Sequence, residues 1–148
     1  MGERPILFCY DSSAEARNAI DYAARLLPSR RAVVVSVAPL TAAAEAYSAG
    51  GSGAAWFDRG LYEEVVRAAH EGMELATRAG FDAEARGELG VEVWRSVVDV
   101  ANEVDAALIV LGSRGLHGLR EVVEGSTSHQ VATHAGRAVL IVPPTGSG

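Results

Sequence analysis

The part of the chain that decides the fold is residues 6–37, which read ILFCYDSSAEARNAIDYAARLLPSRRAVVVSV. Two short, continuous apolar runs at residues 6–10 and 32–37 are typical of central strands that are buried on both faces. Between them, apolar residues recur at helical spacing and predict one amphipathic helix. Ser12 and Glu15 stand at the spacing of a capping box, so we expect Ser12 to cap this helix. A strand, a helix and a strand in this order predict a parallel βαβ unit.

The rest of the sequence continues this alternation. Helices are expected over about residues 58–79 and 91–104, with a short edge strand guarded by charges over 82–86. Two further apolar strands, 106–111 and 138–142, lie on either side of a helix that opens near residue 126. We therefore expect a single α/β domain over residues 1–148 with a largely parallel sheet. Residues 41–56 are rich in alanine, glycine and serine and are expected to form a flexible loop, and 145–148 a loose tail.

Composition and charge exclude several classes of protein. The chain has 148 residues and a net charge of −6, and all 13 of its basic residues are arginine. Without lysine it can have neither a Walker A loop nor a Schiff-base nucleophile. Its single cysteine, Cys9, excludes an intrachain disulfide and a cysteine zinc cluster. No apolar run approaches the roughly 20 residues that cross a bilayer, and acidity disfavours nucleic acid. We expect a cytoplasmic protein that binds neither membrane nor nucleic acid.

Polar and glycine residues follow the first and fourth predicted strands. Asp11 ends the first strand, and the loop that follows the fourth contains Gly112 and Gly115. In open parallel sheets, ligands bind outside the carboxyl ends of the strands, where the strand order reverses. Glycines let a phosphate approach the backbone, Arg114 adds positive charge, and the helix that opens near Ser126 offers free N–H groups. A structural interpretation stays open, in which Asp11 caps a helix and the glycines shape turns.

The spacing Gly112-x2-Gly115-x9-Gly125-Ser126 resembles the ATP-binding signature of the universal stress protein family, G-x2-G-x9-G-[S/T]. The resemblance extends to the first strand, to residues 108–115 and to residues 139–143. It implies a Rossmann-like fold, an open five-stranded parallel sheet of order 3-2-1-4-5 with helices on both faces. ATP would then lie at the carboxyl ends of strands 1 and 4.

The resemblance also implies roles for single residues. Asp11 would contact the adenosine, Cys9 and Val37 would line the base pocket, and Leu111 would lie beside the nucleotide. The residues implied at the phosphates, which usually carry a divalent metal such as Mg²⁺, are Gly112, Arg114, Gly115, Gly125, Ser126 and Thr127. No side chain is expected to ligate the metal itself, and none is a candidate catalytic residue. Family members usually dimerise through the last strand, here Ala138, Val139, Leu140, Ile141 and Val142.

The sequence departs from the family pattern in places, and three functions are consistent with it. Ser12 stands where the family commonly has glycine, Ser36 where it often has histidine, and Trp94 lies where a Gly-x-Pro is often seen. The leading hypothesis is an ATP-binding regulatory protein of the stress response. One alternative is a slow ATP hydrolase that uses the same site. The other is a nucleotide-free, dimeric interaction protein with the same fold.

Overall fold

A computed structural model describes residues 3–40, 53–113 and 127–145, with only the backbone for 53–58. Strands and helices alternate along these residues. In chain order they are β1 Ile6–Cys9, α1 Ala14–Leu26, β2 Arg31–Pro39, α2 Gly53–Arg78, β3 Asp82–Gly90, α3 Val93–Val104, β4 Leu108–Gly112, α4 Thr127–His134 and β5 Ala138–Val142. None of these helices is long and apolar enough to cross a membrane.

The five strands form one parallel sheet in the order β3-β2-β1-β4-β5. Its central strand is β1, in which Ile6 pairs with Ala32 of β2 on one side and with Leu108 of β4 on the other. The chain builds the sheet outwards from β1 to β3 and then returns to β4 and β5 on the opposite side. The implied strand order is therefore confirmed, and the strand order reverses between β1 and β4.

Each face of the sheet is covered by two of the helices in the described ranges. Ile6 and Phe8 of β1, and Tyr10 just after it, pack on the face that α1 and α2 cover. Leu7 and Cys9 point to the other face, against α3 and α4. Because β1 is buried on both faces, its sequence is continuously apolar rather than alternating.

The start of α1 differs from the sequence prediction. The N-cap is Ser13, whose Oγ accepts the N–H of Ala16 at 3.1 Å. The predicted Ser12–Glu15 capping box is therefore wrong. Ser12 instead has a positive φ of 69° and donates its hydroxyl to Glu71 of α2. The Ser12 hydroxyl, which the local pattern predicts as the cap, is used in a tertiary hydrogen bond to Glu71 instead.

Several element boundaries also differ, those of α2 and β3 by the most residues. Helix α2 begins at Gly53, so the part of the predicted loop at residues 53–56 is helical, while 41–52 lie outside the described residues. Strand β3 extends to Gly90 because it pairs with β2 along its whole length, from Arg31↔Asp82 to Pro39↔Gly90. Helix α2 ends at Arg78, close to the predicted end at residue 79, and Gly80 follows with a positive φ of 110°. Of the predicted tail, residues 146–148 lie outside the described part of the chain.

Candidate functional site

The carboxyl ends of β1 and β4 meet where the strand order reverses. Phe8 pairs with Val110, so the residues that follow each strand leave the sheet side by side. Between them lies a small crevice of about 10 Å³, lined by Cys9, Asp11, Ser13, Glu15, Ala16, Leu111 and Gly112. The structure thus brings together four of the residues that the sequence singled out: Cys9, Asp11, Leu111 and Gly112.

Asp11 uses one carboxylate oxygen in the turn before α1, and its other oxygen is available to accept a hydrogen bond from a ligand. Its Oδ1 accepts the backbone N–H of Ser13 at 3.0 Å, which closes the turn between β1 and α1. Its Oδ2 makes no hydrogen bond to any described residue, and the side chain is half-buried. The capping and ligand-binding roles left open by the sequence are therefore compatible, because each can use a different oxygen.

Gly112 lets α1 approach the end of β4. A Cβ at this position would lie 3.2 Å from both the Cβ and the carbonyl oxygen of Glu15. The next residue, Ser113, donates its N–H to Val142 and accepts a hydrogen bond from Ser128 Oγ at 3.4 Å. This contact holds the first turn of α4, which begins at Thr127, beside the end of β4. The N-terminal end of α4, the positive end of its dipole, therefore lies beside Ser113, the residue that follows Gly112.

The remaining predicted residues divide into two groups. Cys9 and Leu111 are buried in the core beneath α3 and α4, and Val37 packs against that core. Burial, together with the nearby Asp11 carboxylate, raises the pKa of the Cys9 thiol to about 12, so it is a neutral core group. Arg114, Gly115, Gly125 and Ser126 lie outside the described residues. The phosphate-binding half of the signature therefore remains a prediction.

A larger cavity of about 520 Å³ opens on the α1 and α2 side of the sheet. It lies between the ends of β1 and β2 and one face of α2. Apolar side chains form part of its wall, and Asp11, Glu64, Arg67 and Glu71 contribute its charged groups. Its full lining is Tyr10, Asp11, Ser12, Ser36, Val37, Ala38, Pro39, Leu61, Glu64, Val65, Arg67, Ala68 and Glu71. Asp11 lines both openings and therefore stands at their junction.

A hydrogen-bonded cluster of Tyr10, Ser12, Arg17 and Glu71 beside this cavity was not predicted from the sequence. Tyr10 Oη and Ser12 Oγ both donate to Glu71 Oε2, and Arg17 pairs with Glu71 Oε1 at 3.7 Å. Burial and the bond to Glu71 raise the pKa of Tyr10 to about 12. The same hydrogen bonds, with Arg17, lower the pKa of Glu71. No local pattern connects Ser12 with a residue 59 positions away, so no sequence signal pointed to the cluster.

These features define the class of the protein. It is an open, doubly wound α/β domain with an acidic residue and a helix N-terminus at the point where strand order reverses, the usual place for a ligand in such folds. The family model named "Universal stress protein family" matches residues 3–143. The chain therefore belongs to the universal stress protein family.

Individual relatives agree with this family. The chain is 37% identical over 83 residues to universal stress protein YxiE of Bacillus subtilis. The matched stretch covers 54% of this chain and 53% of that protein. It is 51% identical over 51 residues to universal stress protein Sll1388 of Synechocystis, 34% of this chain and 33% of that protein. The chain thus spans about half or less of the length of the curated relatives it matches.

Solved structures share the fold over nearly the whole chain. Protein MJ0577 has a TM-score of 0.79 at 19% identity, covering 99% of this chain and 100% of the other. A universal stress protein from Archaeoglobus fulgidus in complex with dAMP has a TM-score of 0.65 at 23% identity, covering 96% and 99%. A universal stress protein in complex with cAMP has a TM-score of 0.61 at 21% identity, covering 97% and 98%.

Proposed function

We propose that this protein binds adenine nucleotides, ATP in particular, and acts as a regulatory protein of the stress response. The observation that carries the proposal is the meeting of Asp11 and Gly112 in one crevice, with the first turn of α4 hydrogen-bonded to Ser113, the residue that follows Gly112. Two proteins of the same fold are described in complex with dAMP and with cAMP, which supports an adenine nucleotide as the ligand class. We further expect its place of action to be the cytoplasm.

The proposed site offers partners of suitable chemistry for the sugar and the phosphates of the nucleotide. Asp11 Oδ2 accepts hydrogen bonds from the adenosine moiety, for which its ribose hydroxyls are suitable donors. The N–H groups of the first turn of α4, together with the glycine loop and Arg114, suit the negative phosphates.

Among the described residues, no three His, Cys, Asp or Glu side chains lie close enough together to hold a metal ion. A Mg²⁺ that accompanies the nucleotide would neutralise phosphate charge, and such ions usually keep several waters and bind the phosphates with few protein ligands.

We also propose that two chains associate through β5. This strand lies at the edge of the sheet, where its outer backbone groups have no neighbouring strand among the described residues. Ile141 is 38% exposed there, while Leu140 packs partly against the core. An apolar edge strand is a ready template for pairing with a second chain.

The test is calorimetric titration of Mg-ATP into nucleotide-stripped protein. We expect saturable binding at about one site per chain. Gly115→Trp and Gly125→Val should abolish binding because they fill the proposed phosphate loop. Asp11→Ala should weaken it about tenfold, as expected when a hydrogen bond to a charged group is lost. Asp21→Ala is the matched control: it removes an exposed carboxylate from α1 and should leave the affinity unchanged.

The same samples separate the competing functions. Absence of binding by the unmodified protein would refute the proposal and favour the nucleotide-free interaction protein. Steady phosphate release from ATP that disappears in Gly115→Trp would identify a hydrolase instead. Competition by AMP, dAMP and cAMP against ATP would establish which phosphate arrangement the site prefers.

A further inference from the structure

The residues on both sides of Asp11 are held by one carboxylate oxygen of α2. Tyr10 Oη donates to Glu71 Oε2 at 2.6 Å, and Ser12 Oγ donates to the same oxygen at 2.7 Å. Short hydrogen bonds to an ionised carboxylate are among the stronger ones in proteins. The residues on both sides of Asp11 are therefore held by Glu71 of α2, although Asp11 itself precedes α1.

The two anchored residues differ in how much they need this support. The backbone of Tyr10 is already fixed by β2, because its N–H donates to Val35 at 2.9 Å and its carbonyl accepts the hydroxyl of Ser36. Ser12, in contrast, has a φ of 69°, in the left-handed region that a residue with a Cβ rarely adopts. Its hydrogen bond to Glu71 is the tertiary contact that holds this conformation.

The conformation of Ser12 determines where Asp11 lies. Asp11 Oδ1 bonds the N–H of Ser13, so a rotation of the intervening Ser12 backbone would break that bond and turn the carboxylate. Glu71 is itself held in place, because Arg17 of α1 pairs with its other oxygen at 3.7 Å. Glu71 is ionised at neutral pH and can accept these bonds, because an ordinary glutamate pKa lies well below 7 and the hydrogen bonds from Tyr10 and Ser12 lower the pKa of Glu71 further.

We propose that Glu71 is a positioning residue of the nucleotide site, which holds Ser12 in its left-handed conformation and thereby orients Asp11. This inference rests on the proposed nucleotide-binding function. Glu71 acts through Ser12, so its contribution disappears when residue 12 no longer needs support. Glycine adopts positive φ without a steric cost, which makes Ser12→Gly the diagnostic substitution.

The experiment is a double-mutant cycle on the affinity for Mg-ATP, measured by calorimetry. We expect Glu71→Ala to weaken binding about tenfold, which corresponds to about 1.4 kcal/mol. Glu71→Gln should stay within about twofold of the unmodified protein, because its amide oxygen still accepts both hydrogen bonds. In a Ser12→Gly background, Glu71→Ala should change the affinity less than about twofold.

Two further variants keep the result interpretable. Glu74→Ala removes another exposed carboxylate of α2, which pairs only with Arg78 among the described residues, and should leave the affinity unchanged. Ser12→Ala should weaken binding about as much as Glu71→Ala, and it provides the test if Glu71→Ala does not fold. Near-ultraviolet circular dichroism at the titration temperature identifies folded variants.

Each outcome decides the proposal. An unchanged affinity in Glu71→Ala or Ser12→Ala overturns it while leaving nucleotide binding intact. An equal loss with and without Ser12→Gly also overturns it, because Glu71 would then act by another route. If the unmodified protein does not bind Mg-ATP, the proposed function fails and the positioning role fails with it.

Discussion

Replacing Gly72 by alanine tests the packing of α2 against the sheet beside the site. An alanine Cβ there would lie 2.7 Å from Tyr10 Cγ and 2.7 Å from Val34 Cγ1. Both neighbours are completely buried, so neither side chain can swing away. We estimate a packing cost of about 2 to 3 kcal/mol, in the upper part of the range for overpacked cores. Alanine recovers about 1 kcal/mol through its higher helix propensity. The net expected loss of stability is about 1 to 2 kcal/mol.

The same helix supplies the matched control. A Cβ at Gly60 would meet nothing within 4 Å, so Gly60→Ala gains the helix propensity without the packing cost. It should stabilise the protein by about 1 kcal/mol, which places the two variants about 2 to 3 kcal/mol apart. The assay is urea unfolding of both variants and the unmodified protein, with equal m-values. A Gly72→Ala protein as stable as Gly60→Ala would refute the argument that α2 packs directly on Tyr10 and Val34.

Three other predictions concern the core, the pH dependence and the sheet edge. The pKa of the Cys9 thiol is raised to about 12. At pH 8 it should therefore react with a thiol reagent far more slowly in the native protein than in the urea-unfolded protein. Equal rates would contradict its burial. Since the pKa of Tyr10 is raised from 10.0 to about 12, its contribution to stability is present below pH 10 and is lost as the pH rises towards 12. The stability gap between the unmodified protein and Tyr10→Phe should therefore narrow between pH 9 and pH 12 in urea unfolding, and a constant gap would argue against the raised pKa. Ile141→Asp should convert dimers to monomers in gel filtration. Tyr62→Asp, which changes an exposed aromatic residue of α2, is the control and should leave the dimers intact. Dimers that persist in Ile141→Asp would place the interface elsewhere.

Local sequence patterns were sufficient for most of the fold. The continuous apolar runs predicted β1 and β2 because a strand buried on both faces has no polar positions to alternate. The position of Asp11 directly after β1 was enough to place it at the carboxyl edge of the sheet. Strand order came from the resemblance to the universal stress protein family, since apolar periodicity says nothing about which strands pair.

Element ends and hydrogen-bond partners depended on the tertiary structure. The local pattern favoured Ser12 as the cap because Glu15 follows it at the spacing of a capping box. In the structure Ser13 is the cap, and the hydroxyl of Ser12 donates to Glu71 instead. Strand β3 is longer than its alternating segment because β2 offers a partner along its full length.

The sequence by itself thus determined the alternation of strands and helices and the placement of Asp11, because both follow from interactions between residues close in the chain. The joining of Tyr10, Ser12 and Glu71 around that aspartate was decided by the tertiary structure. Only when α2 packs on the sheet do side chains about 60 positions apart come within hydrogen-bond distance.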